Sequence, residues 1–149
     1  MIAPILLTTL ADTRALAQRL APVLKAGDVV ALHGGLGAGK TTFVRALINV
    51  LMAQDTEVPS PTYTLLQTYE GPTFPIYHFD LYRLNAPEEV LELDWYGTAD
   101  GLALIEWPDR AGDYLPKWRL DLTLDMSTQT RTATLEPRGE DWQTRLHGF

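Results

Sequence analysis

The chain has 149 residues, and 12 Lys or Arg against 19 Asp or Glu leave a formal net charge of −7. That length suits one domain over residues 1–149 with a core of its own, and a 46% apolar fraction with four Trp, six Tyr and four Phe excludes a disordered chain. Without Cys there is no disulfide scaffold, thiolate metal site or thiol nucleophile; no apolar run approaches the roughly 18 residues of a membrane span; and the acidic balance argues against a broad phosphate-gripping face for nucleic acid.

The beginning, Met1-Ile2-Ala3-Pro4, lacks a basic and apolar leader, so the cytoplasm is the expected location. Residues 12–24 (DTRALAQRLAPVL) place Leu16, Leu20, Val23 and Leu24 at helical spacing, with Asp12 as the expected N-cap. Asp28 to His33 (DVVALH) is a short, mostly apolar, β-branched run and predicts a buried strand. A glycine-dense loop follows, and then a helix from Lys40 to about Ala53 carrying Phe43, Leu47, Val50 and Leu51. After the stiff Pro59-Ser60-Pro61, residues 63–69 are expected to be extended, and Gly71-Pro72 turns the chain into the alternating run FPIYHFD, which ends a half-exposed strand at Asp80. A helix is expected over residues 85–93, with Asn85 as N-cap and Pro87, Glu88 and Glu89 in its first turn. GLALI at 101–105 is a second continuous apolar strand, and residues 119–126 and 131–136 form a terminal hairpin around Ser127 to Thr130. Strands alternating with helices before a hairpin predict an α/β, three-layer, P-loop NTPase-like fold with a mixed, partly parallel sheet and an antiparallel C-terminal hairpin.

The strongest motif is Gly34-Gly35-Leu36-Gly37-Ala38-Gly39-Lys40-Thr41, which fits G-x-x-x-x-G-K-[ST] between a strand and a helix. Glycines let backbone N–H groups close around a phosphate, and the following helix adds its positive end. Lys40 can reach the β and γ phosphates, and the Thr41 hydroxyl can ligate Mg²⁺. Hydrolysis also needs a carboxylate on the metal and an aligned water. Glu106, at the end of Leu102-Ala103-Leu104-Ile105, and Asp80, at the end of FPIYHF, are the candidates. Either can serve as the metal acid, and both can act together. Glu106 is the better placed for Mg²⁺ beside Thr41, and Asp80 for the attacking water or the coupling of Ser60-Pro61-Thr62-Tyr63, a pre-stiffened hydroxyl loop of switch type. His33 reads as strand-end packing. His78 reads either as a core residue or as a group orienting Asp80. Trp107 can stack on a base, shield the γ-phosphate site or pack at its rim. Asp94-Trp95-Tyr96-Gly97 matches D-x-x-G but follows a helix, and with no N-K-x-D signature ATP is expected over GTP.

Four blocks, HGGLGAGKTTFVRAL, SPTYTLL, IYHFDLYRL with its PEEV-x-E-L helix, and LALIEWPDRAG, span most of residues 28–112 in an order and spacing that resembles the TsaE (YjeE) family. The resemblance implies a small bacterial ATPase using ATP and Mg²⁺ to support threonylcarbamoyladenosine, the modification next to the anticodon of tRNAs that read codons starting with A. It implies partnership with the TsaD–TsaB heterodimer, in which TsaD performs the transfer, and contact with tRNA only through that complex. It places Leu36, Gly37, Ala38, Gly39, Lys40, Thr41 and Thr42 in the phosphate and Mg²⁺ site. Thr62 becomes the switch-loop threonine, Asp80 a catalytic acid, Glu106 a metal acid and Trp107 the tryptophan beside the nucleotide. Adenine is implied between the start of the first helix and the C-terminal hairpin, near Leu10–Asp12, Thr130 and Arg131. The rival readings are a small-molecule P-loop kinase and a nucleotide-binding module without turnover.

Overall fold

The computed structural model describes residues 2–127 and 130–149. Among the described residues seven strands form one sheet: β1 (Ile5–Leu7), β2 (Val29–His33), β3 (Leu66–Glu70), β4 (Pro75–Asp80), β5 (Leu102–Glu106), β6 (Arg119–Ser127) and β7 (Thr130–Arg138). Their order is β1-β7-β6-β2-β5-β4-β3. The central strands β6, β2, β5 and β4 are mutually parallel; β3 on one side and β7 on the other run against them, and β1 pairs antiparallel with β7 and so runs in their direction. The expected fold class is therefore the observed one. β2 and β5 are buried along both faces apart from the half-buried His33, as a strand covered by layers on each side must be. Thr128 and Gln129, expected in the hairpin turn, lie outside the described residues.

One face of the sheet is covered by α1 (Leu10–Leu20) and α2 (Lys40–Met52). Leu16, Leu20, Phe43, Leu47 and Ile48 pack there on Val30, Leu32, Leu104 and Leu122. The other face is covered by 3₁₀ turns at Pro87–Leu93 and Pro108–Tyr114, under which Phe79, Leu84, Val90, Trp95, Ile105 and Ala111 form a second core. Trp95 anchors it, meeting Phe79 edge-on with ring centroids 5.0 Å apart and donating its indole N–H to the Tyr114 carbonyl at 3.0 Å. The D-x-x-G match is thus a turn around a core tryptophan: Gly97 N–H bonds to the Asp94 carbonyl, and Asp94 has a positive φ.

Several local expectations are corrected. The N-cap of α1 is Thr9, whose hydroxyl accepts from the Asp12 N–H, while Asp12 at N3 accepts from the Thr8 and Thr9 N–H groups at 2.7 and 3.0 Å. The capping box, rather than Asp12 alone, starts this helix. Residues 87–93 are 3₁₀ rather than α-helical. Their first turn is held by the Glu89 carboxylate, which accepts from the Asn85 and Ala86 N–H groups, rather than by an Asn85 side-chain cap. The extended stretch begins at Leu66, because residues 61–64 are turned and Leu65 takes φ +68°. β4 is an interior strand between β3 and β5, so its C-terminal end is buried rather than half exposed.

A charged cluster is built on β6 and its two neighbouring strands. Asp121 on β6 is buried, and its Oδ1 accepts from His33 Nε2 and Arg119 Nε at 2.8 Å each, while its Oδ2 accepts from Arg138 Nε. Burial alone would raise the Asp121 pKa, but the hydrogen bonds from His33, Arg119 and Arg138 outweigh it and hold the group well below the carboxylate range. The folded state therefore binds fewer protons at this site than the unfolded chain, so the stabilisation is complete above the unfolded pKa and is lost as pH falls below about 4. Asp121→Asn is expected to lower stability by about 2 kcal/mol at pH 7, because Arg119 loses its carboxylate partner while Arg138 keeps Glu136 at 3.3 Å. Denaturant melts at stepped pH are the check: the gap between wild type and variant should close as the solution is acidified, and a gap independent of pH would refute the account.

Candidate functional site

The C-terminal ends of β2, β5 and β4 lie side by side, so His33, Glu106 and Asp80 come to one edge of the sheet, with Asp80 directly opposite Glu106. A cavity of about 440 Å³ opens there. Residues 35–42 of the loop and helix start line one side, and Thr62, Asp80, Tyr82, Glu106, Trp107 and Arg131 line the rest.

The loop's backbone explains its glycines at two positions. Gly34 has φ +144°, and a Cβ there would stand 2.5 Å from the Leu124 carbonyl oxygen of β6. Gly39, the residue before α2, has φ +100°, a left-handed conformation that costs a side-chain-bearing residue roughly 1 kcal/mol or more. The loop thereby swings tightly from β2 into the N-terminus of α2, whose first residues, Lys40 to Thr42, line the cavity.

Lys40 is 5% exposed. Its Nζ donates to the carbonyls of Gly34 and, at 3.3 Å, Gly35, and it sits 3.5 Å from the centroid of the Trp107 ring. Burial lowers the Lys40 pKa, and the negative charges of Glu106 and Asp80 only partly oppose this. Among the described residues no carboxylate pairs directly with this ammonium, so a buried positive charge faces the cavity with neutral partners. Trp107 has φ +58° and packs on Tyr82 with centroids 4.9 Å apart.

Two hydroxyl–carboxylate pairs stand across the cavity. Thr41 Oγ1 donates to Glu106 Oε1 at 2.9 Å, and Thr62 Oγ1 donates to Asp80 Oδ2 at 3.0 Å. Asp80 Oδ1 also accepts the Tyr82 N–H at 3.0 Å, and Ser60 Oγ lies 2.8 Å from Thr62 Oγ1. Glu106 and Asp80 are both buried, at 2% and 4% exposure. The donor set offered by Thr41, Glu106 and Asp80 is all oxygen, which is the chemistry Mg²⁺ prefers, with phosphate oxygens and water to complete a shell. His78 does not orient Asp80, its neighbour along β4. Its Nε2 is 2.5 Å from Glu106 Oε2 on the adjacent strand.

A second, adjoining cavity of about 240 Å³ shares Thr42 and Arg131 with the first and is bounded by Leu7 to Leu10, Thr13 and Met126. Leu10 and Arg131 come together there as expected, but Asp12 does not line it, because its carboxylate is committed to the helix cap. Thr13, Met126 and Tyr82 were not legible as site residues. Thr13 and Met126 lie outside the family blocks, and Tyr82 lies within IYHFDLYRL, where its residue type alone marks no role.

The model of the family described as threonylcarbamoyl adenosine biosynthesis protein TsaE matches residues 7–134. The chain belongs to the TsaE family. Among proteins named tRNA threonylcarbamoyladenosine biosynthesis protein TsaE, that of Rickettsia felis is 42% identical over 121 residues, 80% of this chain and 71% of the relative. The Bacillus subtilis protein is 39% identical over 113 residues, covering 76% and 71%. The Rickettsia conorii protein is 50% identical over 99 residues, but the match spans 66% of this chain and only 57% of that relative. The crystal structure of Bacillus subtilis YdiB superposes with a TM-score of 0.80 at 28% identity, over 98% of this chain and 92% of the other. The TsaE match runs from the end of β1 into β7, so it takes in both cavities and leaves the last helix, α3 (Glu140–Arg145), outside.

Proposed function

We propose that this TsaE-family chain is a cytoplasmic, Mg²⁺-dependent ATPase that is slow alone, is accelerated by TsaD and TsaB, and supports threonylcarbamoyladenosine modification of tRNA, which it meets only through that complex. The observation that carries the reading is the buried Lys40 ammonium at the start of α2, which faces an open glycine-loop cavity and has only carbonyl and indole partners. A triphosphate supplies the missing counter-charge. Lys40 would leave the Gly34 and Gly35 carbonyls for the β and γ phosphates, while the loop N–H groups hold the phosphate oxygens.

Thr41 and Glu106 fit as holders of Mg²⁺. The bound cation would neutralise the phosphate charge that develops during transfer of the γ-phosphoryl group. Asp80, held through Thr62 and the Tyr82 N–H, would accept a hydrogen bond from the attacking water and report its state to the Ser60–Tyr63 loop. Trp107 would screen the phosphates from solvent. The base would enter the adjoining cavity past Thr42 and Arg131.

Slow turnover in isolation follows from where the arginines are. Arg45 donates to the Val58 carbonyl, Arg110 to the Leu84 carbonyl, and Arg83 lies over the Tyr63 ring. Among the described residues Arg131 is the arginine that lines the cavity, and it stands at the border with the adjoining cavity assigned to the base, so it is not counted as a finger for the phosphates. An arginine delivered by a partner is worth about 10³–10⁵ in rate where it is used. Phosphate release should therefore rise at least about tenfold when TsaD and TsaB are added to the chain. Equal rates alone and in the mixture would refute partner gating, and release that required an added phosphoryl acceptor would favour the kinase reading.

A further inference from the structure

His78 lies one residue pair behind the acidic edge of the sheet. In the parallel pairing of β4 with β5, His78 stands opposite Leu104, and Asp80 opposite Glu106. Residues two apart on a strand share a face, so the imidazole sits directly beneath the two carboxylates. It is fully buried, and its Nε2 is 2.5 Å from Glu106 Oε2. The other oxygen of Glu106, Oε1, takes the Thr41 hydroxyl. Each oxygen of this carboxylate is thus assigned: one to the glycine-loop helix, the other to the sheet.

The imidazole's second nitrogen, Nδ1, is buried without a hydrogen-bond partner. A contact this short needs a proton between the two atoms, and opposite an ionised carboxylate that proton belongs to Nε2. The tautomer with the proton on Nε2 leaves only a bare lone pair at Nδ1, whereas the other would leave a buried, unsatisfied N–H as well as two acceptors facing each other. Among the described residues the bond to Glu106 is the one polar interaction of the imidazole.

We propose that His78 is a positioning residue for Glu106: its Nε2–H holds Oε2 so that Oε1 stays turned toward Thr41, where Mg²⁺ arrives with ATP. This rests on the Mg²⁺-ATP reading above. Partners that orient a metal-binding carboxylate are typically worth about 10–100-fold in metal affinity or activity. The part of ATP binding that depends on metal is therefore the quantity His78 controls, while the loop's own grip on phosphate is independent of it.

The test compares His78→Gln, His78→Asn and His78→Leu with wild type. Gln can place an amide N–H near the position of Nε2, Asn places it near Nδ1, and Leu removes it. Calorimetric titration with ATP, in EDTA and in excess Mg²⁺, gives the affinity gained from metal. The expected result is equal affinity in EDTA for all four proteins, with the gain reduced about 10–100-fold in His78→Asn and His78→Leu and largely kept in His78→Gln. In the metal-free wild type, ¹⁵N ring shifts should report the Nε2–H tautomer, and the Nε2–H resonance should move in Glu106→Gln. Should His78→Leu fail to fold, judged by thermal melting, the Asn–Gln contrast decides. A metal gain equal in all variants, a loss that is the same in EDTA and Mg²⁺, or the Nδ1–H tautomer each overturns the proposal. A wild type that binds no ATP, or gains nothing from Mg²⁺, overturns the ATPase reading itself and this inference with it.

Discussion

Replacing Lys40 with Met or Ala is expected to cut ATP affinity and turnover by about 10²–10³-fold, which corresponds to roughly 3–4 kcal/mol of charge-assisted contact to phosphate. The same change should not cost the fold. Burial already works against the Lys40 charge, lowering its pKa, and its present partners are two carbonyls and an indole face rather than a carboxylate. Met keeps the apolar stem that fills the space under Trp107 and removes only the ammonium, so the melting temperature without nucleotide should stay level or rise. Binding calorimetry with ATP and a thermal melt of the same sample separate the two effects. Undiminished ATP affinity in Lys40→Met would remove the basis of the nucleotide reading, whereas a collapsed melting temperature would mean that the lysine is a structural strut.

Asp80→Asn and Glu106→Gln should fail in different ways, although the two carboxylates stand opposite each other on neighbouring strands. Glu106 Oε1 accepts the Thr41 hydroxyl on the first turn of α2, and on the proposed reading these two residues would hold Mg²⁺. Its neutral amide should weaken Mg²⁺-dependent ATP affinity by about 10²-fold, as the loss of a charged ligand to a hard cation requires. Asp80 instead binds the Thr62 hydroxyl and the Tyr82 N–H, groups on the opposite wall. Asp80→Asn should leave affinity within a few-fold and lower partner-stimulated hydrolysis by about 10²–10⁴-fold, the usual range for a general acid–base group. Mg²⁺-ATP titrations and phosphate-release rates on both variants decide the matter. If Asp80→Asn lost the metal-dependent affinity and Glu106→Gln kept it, the two roles would have to be exchanged.

The two innermost strands of the sheet, β2 and β5, were readable because DVVALH and LALIE are built on continuous apolar runs, and only a strand covered on both faces tolerates that pattern. The glycine loop was readable because its chemistry dictates its spacing. The rest depended on information that no local window holds. β1 has three residues, too few for any periodicity, and exists because Ile5–Leu7 can pair with β7. Residues 87–93 carry helical start signals, but the short segment closes as 3₁₀ turns over Val90 in the second core. Asp12 looked like a cap because it precedes an apolar period. The true cap lies three residues earlier, and Asp12 answers it from N3. His78 sits two residues from Asp80 in sequence, yet its hydrogen bond goes sideways to Glu106, because the register of a parallel pair, not the order of residues, decides which carboxylate an imidazole meets.

The close approach at Gly34 has an evolutionary meaning. A Cβ at this position would stand 2.5 Å from the main-chain oxygen of Leu124, the tightest contact, and 3.1 Å from the Ala38 Cβ. Most steric conflicts inside a protein can be relieved by shrinking the neighbour, so a lineage can drift through them by paired replacements. Here no choice of amino acid at position 124 moves the obstructing atom. The terminal hairpin therefore restricts the glycine loop through its backbone alone. Position 34 should stay closed to drift even where the residues on β6 are free to change, and second-site suppressors of Gly34→Ala should be found only among changes that shift the strand itself.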